Sequence, residues 1–262
     1  MEIILSVIAE GTQVPLSLAL RRFAQRLVNV MRPQPRYLPL DSVDIIKTSA
    51  GKGLVDGFND LCYTGGIFKL KWRGSELLKN PCDLFMAVEL IEKVRPSLII
   101  ETGTHCGASS VYYADMCKLL GVDSHIVTVD INPKWNINPS AFNITSIVGY
   151  STEIAIYNKV YDIYTRRMQE ASGPVMVFLD SNHSLENVLA EMELYGKLVT
   201  RGSFLIVEDT NVNGHPSFPA HGPGPWEAVE IFLSRHSNFI VDRECERFLL
   251  TFNPNGWIRR IE

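Results

Sequence analysis

The chain has 262 residues, enough for one large domain or for one domain with an added segment. Hydrophobic residues make up 46% of the sequence and charged residues 21%, so a sizeable core can form. The formal net charge of −4 and the pI of about 5.9 argue against a general nucleic-acid binder, although a local basic patch stays open.

Residues 1–40 predict a helical extension followed by a proline-rich linker. Leu16, Leu20, Phe23 and Leu27 recur at helical spacing, and RPQPRYLPLD then ends the helix. We expect this amphipathic helix to pack on its own domain or on a second copy of the chain, which would make a homo-oligomer. Contact with a membrane surface is the alternative.

Compartment is indicated by the cysteines and by the absence of long apolar runs. The five cysteines contain no CxxC pair and predict neither a zinc ribbon nor a disulfide scaffold. The opening MEIILSVIAEG is too short and too acidic for a signal peptide, and no apolar run reaches the ~18 to 20 residues that span a bilayer. We expect a cytoplasmic protein with reduced cysteines and no stable membrane insertion.

Residues 41–80 are predicted to form an irregular lid or substrate segment, because glycine tolerates the backbone angles of tight turns and six glycines fall there. A cationic and aromatic cluster near its end could hold the carboxylate of a cofactor or an acidic substrate; a solvated charge run is the default interpretation. The cluster consists of Lys69, Lys71, Trp72 and Arg73.

Residues 81–262 predict an α/β domain. After a helix from Asp83 to Val94, short apolar strands alternate with helices of ten or more residues, which indicates a doubly wound, mostly parallel sheet. Ligands of such sheets bind outside the carboxyl ends of the strands. The predicted strands are SLIIET, HIVTVD, NITSIV, VMVFLD, SFLIVED and, late in the chain, RFLLTFNP.

Two strand ends predict a nucleotide site. ETGTHCG, residues 101–107, is a glycine-containing turn before a helix, where backbone amides can approach a ligand. It matches neither GxGxxG nor a Walker loop, and a tight turn alone explains it equally well. Asp130 follows Gly103 by one βαβ step and could accept the hydroxyls of a ribose. Together the two motifs favour an adenosine-containing cofactor over an acid that only begins a loop.

Carboxylates end the next two strands. Asp180, Glu208 and Asp209 should converge at the same sheet edge, where their repulsion would be relieved by a divalent cation such as Mg²⁺. Asn182 and Asn211 could add neutral oxygens. The alternative is that the 180–184 segment only caps the helix that begins near Leu185.

Histidines near this edge could act on a substrate. His183, three residues after Asp180, could take a proton from a substrate hydroxyl, ligate the metal, or cap a helix. The long loop TNVNGHPSFPAHGPGPW could line a substrate pocket through His215, His221 and Trp226, or form a flexible surface connection.

Several stretches together resemble the cephalosporin hydroxylase / rhamnosyl O-methyltransferase family. They cover about residues 60 to 260 and are IFKLKWRG, IIETGTHCGAS, VDINP, FLDSNHSLENVLAEMELYGKLVTRGSFLIVEDTN and GPGPWEAVEIFL. The resemblance implies the Rossmann-like fold of class I methyltransferases, with a seven-stranded sheet, and the cofactors S-adenosylmethionine and Mg²⁺. By analogy with catechol-type enzymes, Asp180, Glu208 and Asp209 would hold the metal, with His183 where those enzymes have a lysine.

The resemblance also implies the cofactor contacts and the reaction. S-adenosylmethionine would lie at the ETGT turn with Asp130 on its ribose and Ser151 near its adenine; the cofactor candidates are Glu101, Thr102, Gly103, Thr104, Ser109, Asp130, Ser151, Asp180 and Arg73. Asp180 and His183 are the expected catalytic residues in methyl transfer to a hydroxyl of a sugar or a glycosylated natural product. The alternatives are a metal-dependent oxidative hydroxylase and a non-catalytic module that binds S-adenosylmethionine. A dinucleotide dehydrogenase is disfavoured because ETGTHCG lacks its glycine pattern.

Overall fold

The structure is a computed structural model that describes residues 49–65 and 70–262. The helical extension and linker predicted for residues 1–40 lie outside the described residues, as does Lys69. No described helix combines the length and the apolar character needed to cross a membrane.

The described chain contains nine strands and six α-helices. The strands are β1 Lys71–Trp72, β2 Ser75–Glu76, β3 Leu98–Thr102, β4 His125–Asp130, β5 Ile144–Val148, β6 Val175–Leu179, β7 Phe204–Val207, β8 Phe239–Val241 and β9 Trp257–Arg260. The helices are α1 Ser49–Gly65, α2 Pro81–Val94, α3 Ala108–Leu119, α4 Ile154–Ala171, α5 Leu185–Tyr195 and α6 Pro225–Arg235.

Seven strands form one sheet in the order β5-β4-β3-β6-β7-β9-β8, and β1 pairs with β2 as a separate hairpin. Strands β3 to β7 pair in parallel, while β9 is antiparallel to both β7 and β8. The winding direction reverses between β3 and β6, so the crevice for a ligand opens at their carboxyl ends. This confirms the predicted doubly wound, mostly parallel, seven-stranded sheet.

Both faces of the sheet are covered, which explains why its strands read as continuous apolar runs. One set of strand residues, including Ile100 and Val177, packs against Val160 of α4, Met192 of α5 and Phe232 of α6. The alternate set, which includes Ile99 and Phe178, packs with the apolar residues of α2 and α3. Because side chains alternate along a strand, each central strand contributes residues to the apolar cores on both faces of the sheet.

Two sequence expectations are wrong. Residues 49–65 of the predicted irregular segment form helix α1, whose glycines do not interrupt it. RFLLTFNP is not a strand: Leu249 has a positive φ, and the backbone of Phe252 is held by the Asp83 carboxylate instead of by a neighbouring strand. This side of the sheet is completed by β9 and by the edge strand β8, which lie on either side of that segment in the sequence.

Candidate active site

A cleft of about 790 Å³ opens at the carboxyl ends of the central strands, at the point where the winding reverses. Its volume lies in the range of pockets that hold a small molecule or a cofactor. The lining includes six of the predicted site residues, which are Gly103, Asp130, Ser151, Asp180, His183 and Asp209. The cleft therefore lies at the edge of the sheet where the sequence places these residues.

Gly103 is required by backbone geometry at the turn after β3. Its φ is +88°, in the region that favours glycine, and a Cβ built on it would lie 1.8 Å from the Asp180 carbonyl oxygen. The Gly103 N–H donates to the Val129 carbonyl, and the Asp180 N–H donates to the Thr102 carbonyl, so the ends of β3, β4 and β6 are tied together. This close approach forms the floor of the cleft.

Asp130 is held by backbone amides at the end of β4. One carboxylate oxygen accepts the His105 N–H at 2.8 Å, and the other accepts the Asn132 N–H at 2.7 Å. These bonds fix the carboxylate at the cleft wall, and each oxygen keeps a further lone pair for a hydroxyl donor. The arrangement suits the two adjacent hydroxyls of a ribose.

Other predicted cofactor residues stand behind the cleft surface. Glu101 is fully buried and accepts hydrogen bonds from Ser110 and Thr128. Its burial raises its pKa, although Lys79 opposes that shift. Thr104 shares a hydrogen bond with Thr128 at 2.6 Å, and Thr102 and Ser109 are also buried. These side chains support the turn after β3 from the interior and do not line the cleft.

Lys79, which the sequence analysis did not single out, occupies the space between two of the predicted metal ligands. Its Nζ lies 2.6 Å from Oδ2 of Asp180 and 2.5 Å from Oε2 of Glu208, and only 5% of its side chain is exposed. Glu208 itself is buried and is absent from the cleft lining. The only local sequence signal for Lys79 is its position between two leucines and the residue that caps the next helix, Asn80.

The ion pairs around Lys79 explain how charge is tolerated there. Burial alone would lower the pKa of Lys79, but the carboxylates of Asp180 and Glu208 raise it well above its usual value, so the ammonium stays charged. Burial raises the pKa of Glu208, and Lys79 counteracts that shift. An unpaired charge at this depth would be strongly destabilising.

Asp180, Asp209 and His183 form the group that faces the cleft. One potential ligand atom from each lies within 4.8 Å of the others, a spacing that a single metal ion can bridge. Nε2 of His183 is 3.3 Å from Asp209 and 3.8 Å from Asp180. Burial raises the pKa of Asp209, while His183 lowers it. Helix capping does not explain Asp180, since Ser184 is the residue before α5.

Asp209 is positioned by a segment that follows it by more than forty residues. Its φ is +54°, and its N–H donates to Oδ1 of Asn253 at 3.0 Å. The segment around Asn253 is in turn held by Asp83 of α2, which accepts hydrogen bonds from the Thr251 hydroxyl and the Phe252 N–H. The unusual backbone of Asp209 is therefore imposed by tertiary contacts.

Arg73 does not join the cleft. Both Trp72 and Arg73 donate to the Asp115 carboxylate of α3, with Arg73 forming bonds of 2.6 and 2.8 Å. This pairing lowers the pKa of Asp115 despite its partial burial. Trp72 and Arg73 thus fix the β1–β2 hairpin on α3.

The loop 210–224 is braced by Glu227 at the start of α6. The Glu227 carboxylate accepts hydrogen bonds from the Asn213 side chain and the Gly224 N–H, and it lies 3.0 Å from Nε2 of His215. His215 also stacks on Trp226, so neither lines the cleft, whereas His221 does.

Asn182 and Asn211, the predicted neutral metal ligands, form hydrogen bonds with other parts of the protein. Oδ1 of Asn182, which lines the cleft, accepts the Ser184 N–H. Asn211 is buried and donates to Asn59 of α1. Within the described ranges, the ligand group that faces the cleft contains one histidine, His183.

Comparison with known proteins finds a family match over most of the chain. The family model described as Rhamnosyl O-methyltransferase/CmcI matches residues 65–261. A rhamnosyl O-methyltransferase of Mycobacterium tuberculosis (strain H37Rv) is 36% identical over 199 residues, which cover 73% of this chain and 78% of that protein.

Solved structures of CmcI are similar in fold. A CmcI apo structure superposes with a TM-score of 0.58 at 22% identity, over 74% of this chain and 76% of that chain. A CmcI structure described as Mg-SAM superposes with a TM-score of 0.56 at 20% identity, over 74% and 77% of the two chains.

Proposed function

The chain belongs to the Rhamnosyl O-methyltransferase/CmcI family and is an O-methyltransferase, and we propose that it moves a methyl group from S-adenosylmethionine to a substrate hydroxyl in a Mg²⁺-dependent reaction. The observation that carries the proposal is the convergence of two sites in one cleft. The amide-held Asp130 and the group formed by Asp180, His183 and Asp209 line the same cavity.

The cofactor would occupy the part of the cleft between β3 and β4. Asp130 would accept the ribose hydroxyls, the Gly103 turn would carry the methionine portion, and Ser151 would lie beside the adenine. Support comes from the two fixed oxygens of Asp130, from the exposure of these residues to the cleft, and from the CmcI structure described as Mg-SAM.

The residues present suit a hard divalent cation. Carboxylate oxygens are preferred ligands of Mg²⁺, and the Asp180 and Asp209 carboxylates lie close enough to share one ion. His183 would stand next to the ion. Glu208, which the resemblance assigns to the metal, is bound to Lys79 in this structure and would act from behind Asp180.

Each bound group would supply one part of the chemistry: S-adenosylmethionine carries the methyl group, and Mg²⁺ makes a nearby hydroxyl more acidic. The protein aligns the reacting atoms, which can lower a barrier by roughly 7 to 11 kcal/mol. His183 is about 29% exposed, and its Nε2 points between Asp180 and Asp209. From there it would accept the hydroxyl proton as a general base.

The acceptor would enter from the side of the cleft formed by Leu78, His221 and Pro223. A sugar hydroxyl on a glycosylated small molecule is the acceptor class we propose, supported by the rhamnosyl O-methyltransferase name of the curated relatives. A cytoplasmic homo-oligomer is also part of the proposal. The five free cysteines are consistent with that compartment.

Methyl transfer from labelled S-adenosylmethionine to a panel of rhamnosylated and catechol acceptors tests the function. We expect transfer that needs Mg²⁺ and stops with excess chelator. Asp180→Ala should abolish transfer while it binds S-adenosylhomocysteine nearly as tightly as the wild type, as measured by calorimetry. Full activity of Asp180→Ala in chelator would reject the metal role.

Two other outcomes would favour the rival functions. Oxygen consumption without methyl transfer would indicate the oxidative enzyme, which needs two histidines and a carboxylate around iron. In the described structure His215 is occupied by Glu227 and Trp226, so His221, which lines the cleft, is the histidine that such a site would need beside His183. Cofactor binding that is unaffected by metal, with no transfer to any acceptor, would favour the non-catalytic module.

A further inference from the structure

Lys79 stands out because it is a lysine side chain buried in the acidic centre of the site. Its ammonium makes two short ion pairs, with Asp180 and Glu208, and both acids follow the ends of adjacent strands. Glu101 and Tyr113 are further groups close enough to influence it electrostatically. Lysines are seldom buried without a partner, and here the carboxylates of Asp180 and Glu208 balance the charge of the Lys79 ammonium.

We propose that Lys79 is a positioning residue whose ammonium is the permanent counter-cation of Asp180 and Glu208, and that it determines which oxygen of Asp180 faces the cleft. The consequence for methyl transfer rests on the proposed function. The charge balance itself rests only on the contacts of Lys79.

The two oxygens of Asp180 face in different directions. Oδ2 accepts a hydrogen bond from Lys79 at 2.6 Å, while Oδ1 lies on the side of His183, at 3.8 Å from Nε2. With one oxygen fixed on the buried ammonium, the carboxylate cannot rotate without losing an ion pair. The oxygen that remains is the one available to the cleft.

Glu208 completes this arrangement from the interior. Its side chain is 8% exposed, compared with 20% for Asp180 and 30% for Asp209. Of the two neighbouring acids after β7, Glu208 therefore reaches the ammonium and Asp209 reaches the cleft. The two neighbours reach different partners because the chain leaves the extended conformation at Asp209, whose φ is +54°.

The segment that supplies Lys79 is itself fixed. Leu77 is buried, and its N–H donates to the Leu70 carbonyl. Asn80 caps helix α2 and donates to the Leu250 carbonyl. The lysine thus enters the site from a rigid connection between the hairpin and α2.

Melting of Lys79→Met, with Lys159→Met as the control, tests the charge balance. Lys159 is an exposed lysine of α4, so its substitution should leave the midpoint nearly unchanged. Without divalent cations, Lys79→Met should melt roughly 10 °C lower, because two carboxylates lose their buried partner. Mg²⁺ should raise the midpoint of Lys79→Met more than that of the wild type, since it supplies positive charge at the same acids.

A second substitution separates charge from packing. Glu208→Gln removes one negative charge, so the double variant Lys79→Met/Glu208→Gln should melt above Lys79→Met. Equal melting of Lys79→Met and Lys159→Met, or a double variant no more stable than Lys79→Met, would overturn the proposal. If Lys79→Met does not fold, the double variant decides: a folded protein supports the charge balance, and a second failure to fold rejects it.

The positioning role has its own readout. Lys79→Met should bind S-adenosylhomocysteine within about threefold of the wild type. Its kcat for methyl transfer should fall by about 100-fold, and Lys79→Arg should recover part of that loss. Unchanged kcat in a folded Lys79→Met would reject positioning. If the wild type transfers no methyl group to any acceptor, the proposed function fails, but the melting experiments still decide the role of Lys79 as counter-cation.

Discussion

The two halves of the cleft are built by different means. The half that we propose for the cofactor, here called the cofactor half, lies at the ends of β3 and β4 and is held by backbone: Gly103 touches the Asp180 carbonyl, and Asp130 is fixed by two amide N–H groups. The ionic half, at the ends of β6 and β7, is held by side chains, with Lys79 between Asp180 and Glu208.

The difference determines how each half responds to change. Backbone contacts depend on the path of the chain. They should therefore survive a substitution that changes a side-chain charge, but not one that adds an atom where two segments touch. Ion pairs tolerate small shifts of the chain but fail when one charge is removed. Variants that add an atom should therefore damage the cofactor half, and variants that remove a charge should damage the ionic half.

The largest effect is expected for Gly103→Ala. Its methyl group would overlap the Asp180 carbonyl in a positive-φ conformation, and we expect a loss of ~4 kcal/mol or more in the free energy of unfolding. Gly121→Ala is the matched control, because Gly121 also has positive φ but has open space around it; its expected loss is about 1 kcal/mol. Urea unfolding of both variants measures the contrast, and equal losses would contradict the role of close approach.

The next prediction compares the substitution of one acid in each half of the cleft. Asp130→Asn should weaken binding of S-adenosylhomocysteine by about tenfold or more and leave the Mg²⁺ dependence unchanged. Asp209→Asn should give the reverse, with normal cofactor affinity and methyl transfer that needs more Mg²⁺. Calorimetry and Mg²⁺ titrations distinguish the two. If both variants change both properties, the halves are coupled and the comparison is wrong.

A smaller effect is expected where the ionic half depends on a distant segment. Asn253→Ala leaves the Asp209 N–H without its described partner and should cost about 1 to 3 kcal/mol of stability. The control is Asn143→Ala, which removes a hydrogen bond to the Ser124 carbonyl far from the cleft. Both variants should lose stability, but only Asn253→Ala should shift the Mg²⁺ dependence of methyl transfer. A matching shift in the control would contradict this.

The smallest effect concerns the loop held by Glu227. Partial burial raises the pKa of Glu227, but hydrogen bonds from Gly224, Asn213 and His215 lower it to about 2. Because this pKa is below the usual 4.5, the carboxylate stabilises the fold above about pH 4.5, and the contribution is lost as the pH falls toward 2.

Glu227→Gln should therefore be less stable than the wild type by about 1 to 2 kcal/mol at pH 6, and the gap should narrow at pH 3. Glu230→Gln, an exposed residue of the same helix, is the control and should show no gap at either pH. Urea unfolding at the two pH values tests this, and a gap that widens at pH 3 would refute the assigned sign.

The contrast between the halves also explains which parts of the fold and of the candidate site could be predicted from the sequence. The parallel strands were predicted with small boundary errors because their apolar runs and glycine turns are local signals. Asp130 is the last residue of β4, and Asp180 directly follows β6. Their convergence followed from one rule of sheet topology, and the cleft contains both.

The missed features depend on contacts between distant residues. Lys79 is separated from Asp180 by 101 positions, and nothing beside it in the sequence reveals its partner. RFLLTFNP has the composition of a strand, but contacts to Asp83 and Asp209 give its backbone another path. The same contacts separate Asp209 from Glu208, two neighbours that the sequence treated alike.

The hydrogen bond from Asp209 to Asn253 has a consequence for biosynthesis. A growing polypeptide releases Asp180 and Asp209 from the ribosome before Asn253, and before β9, which inserts between β7 and β8. Translation thus completes the acids before the residues that hold them in place. Until Asn253 and β9 emerge, the nascent chain can pair its central parallel strands, but Asp209 lacks the contact that holds it.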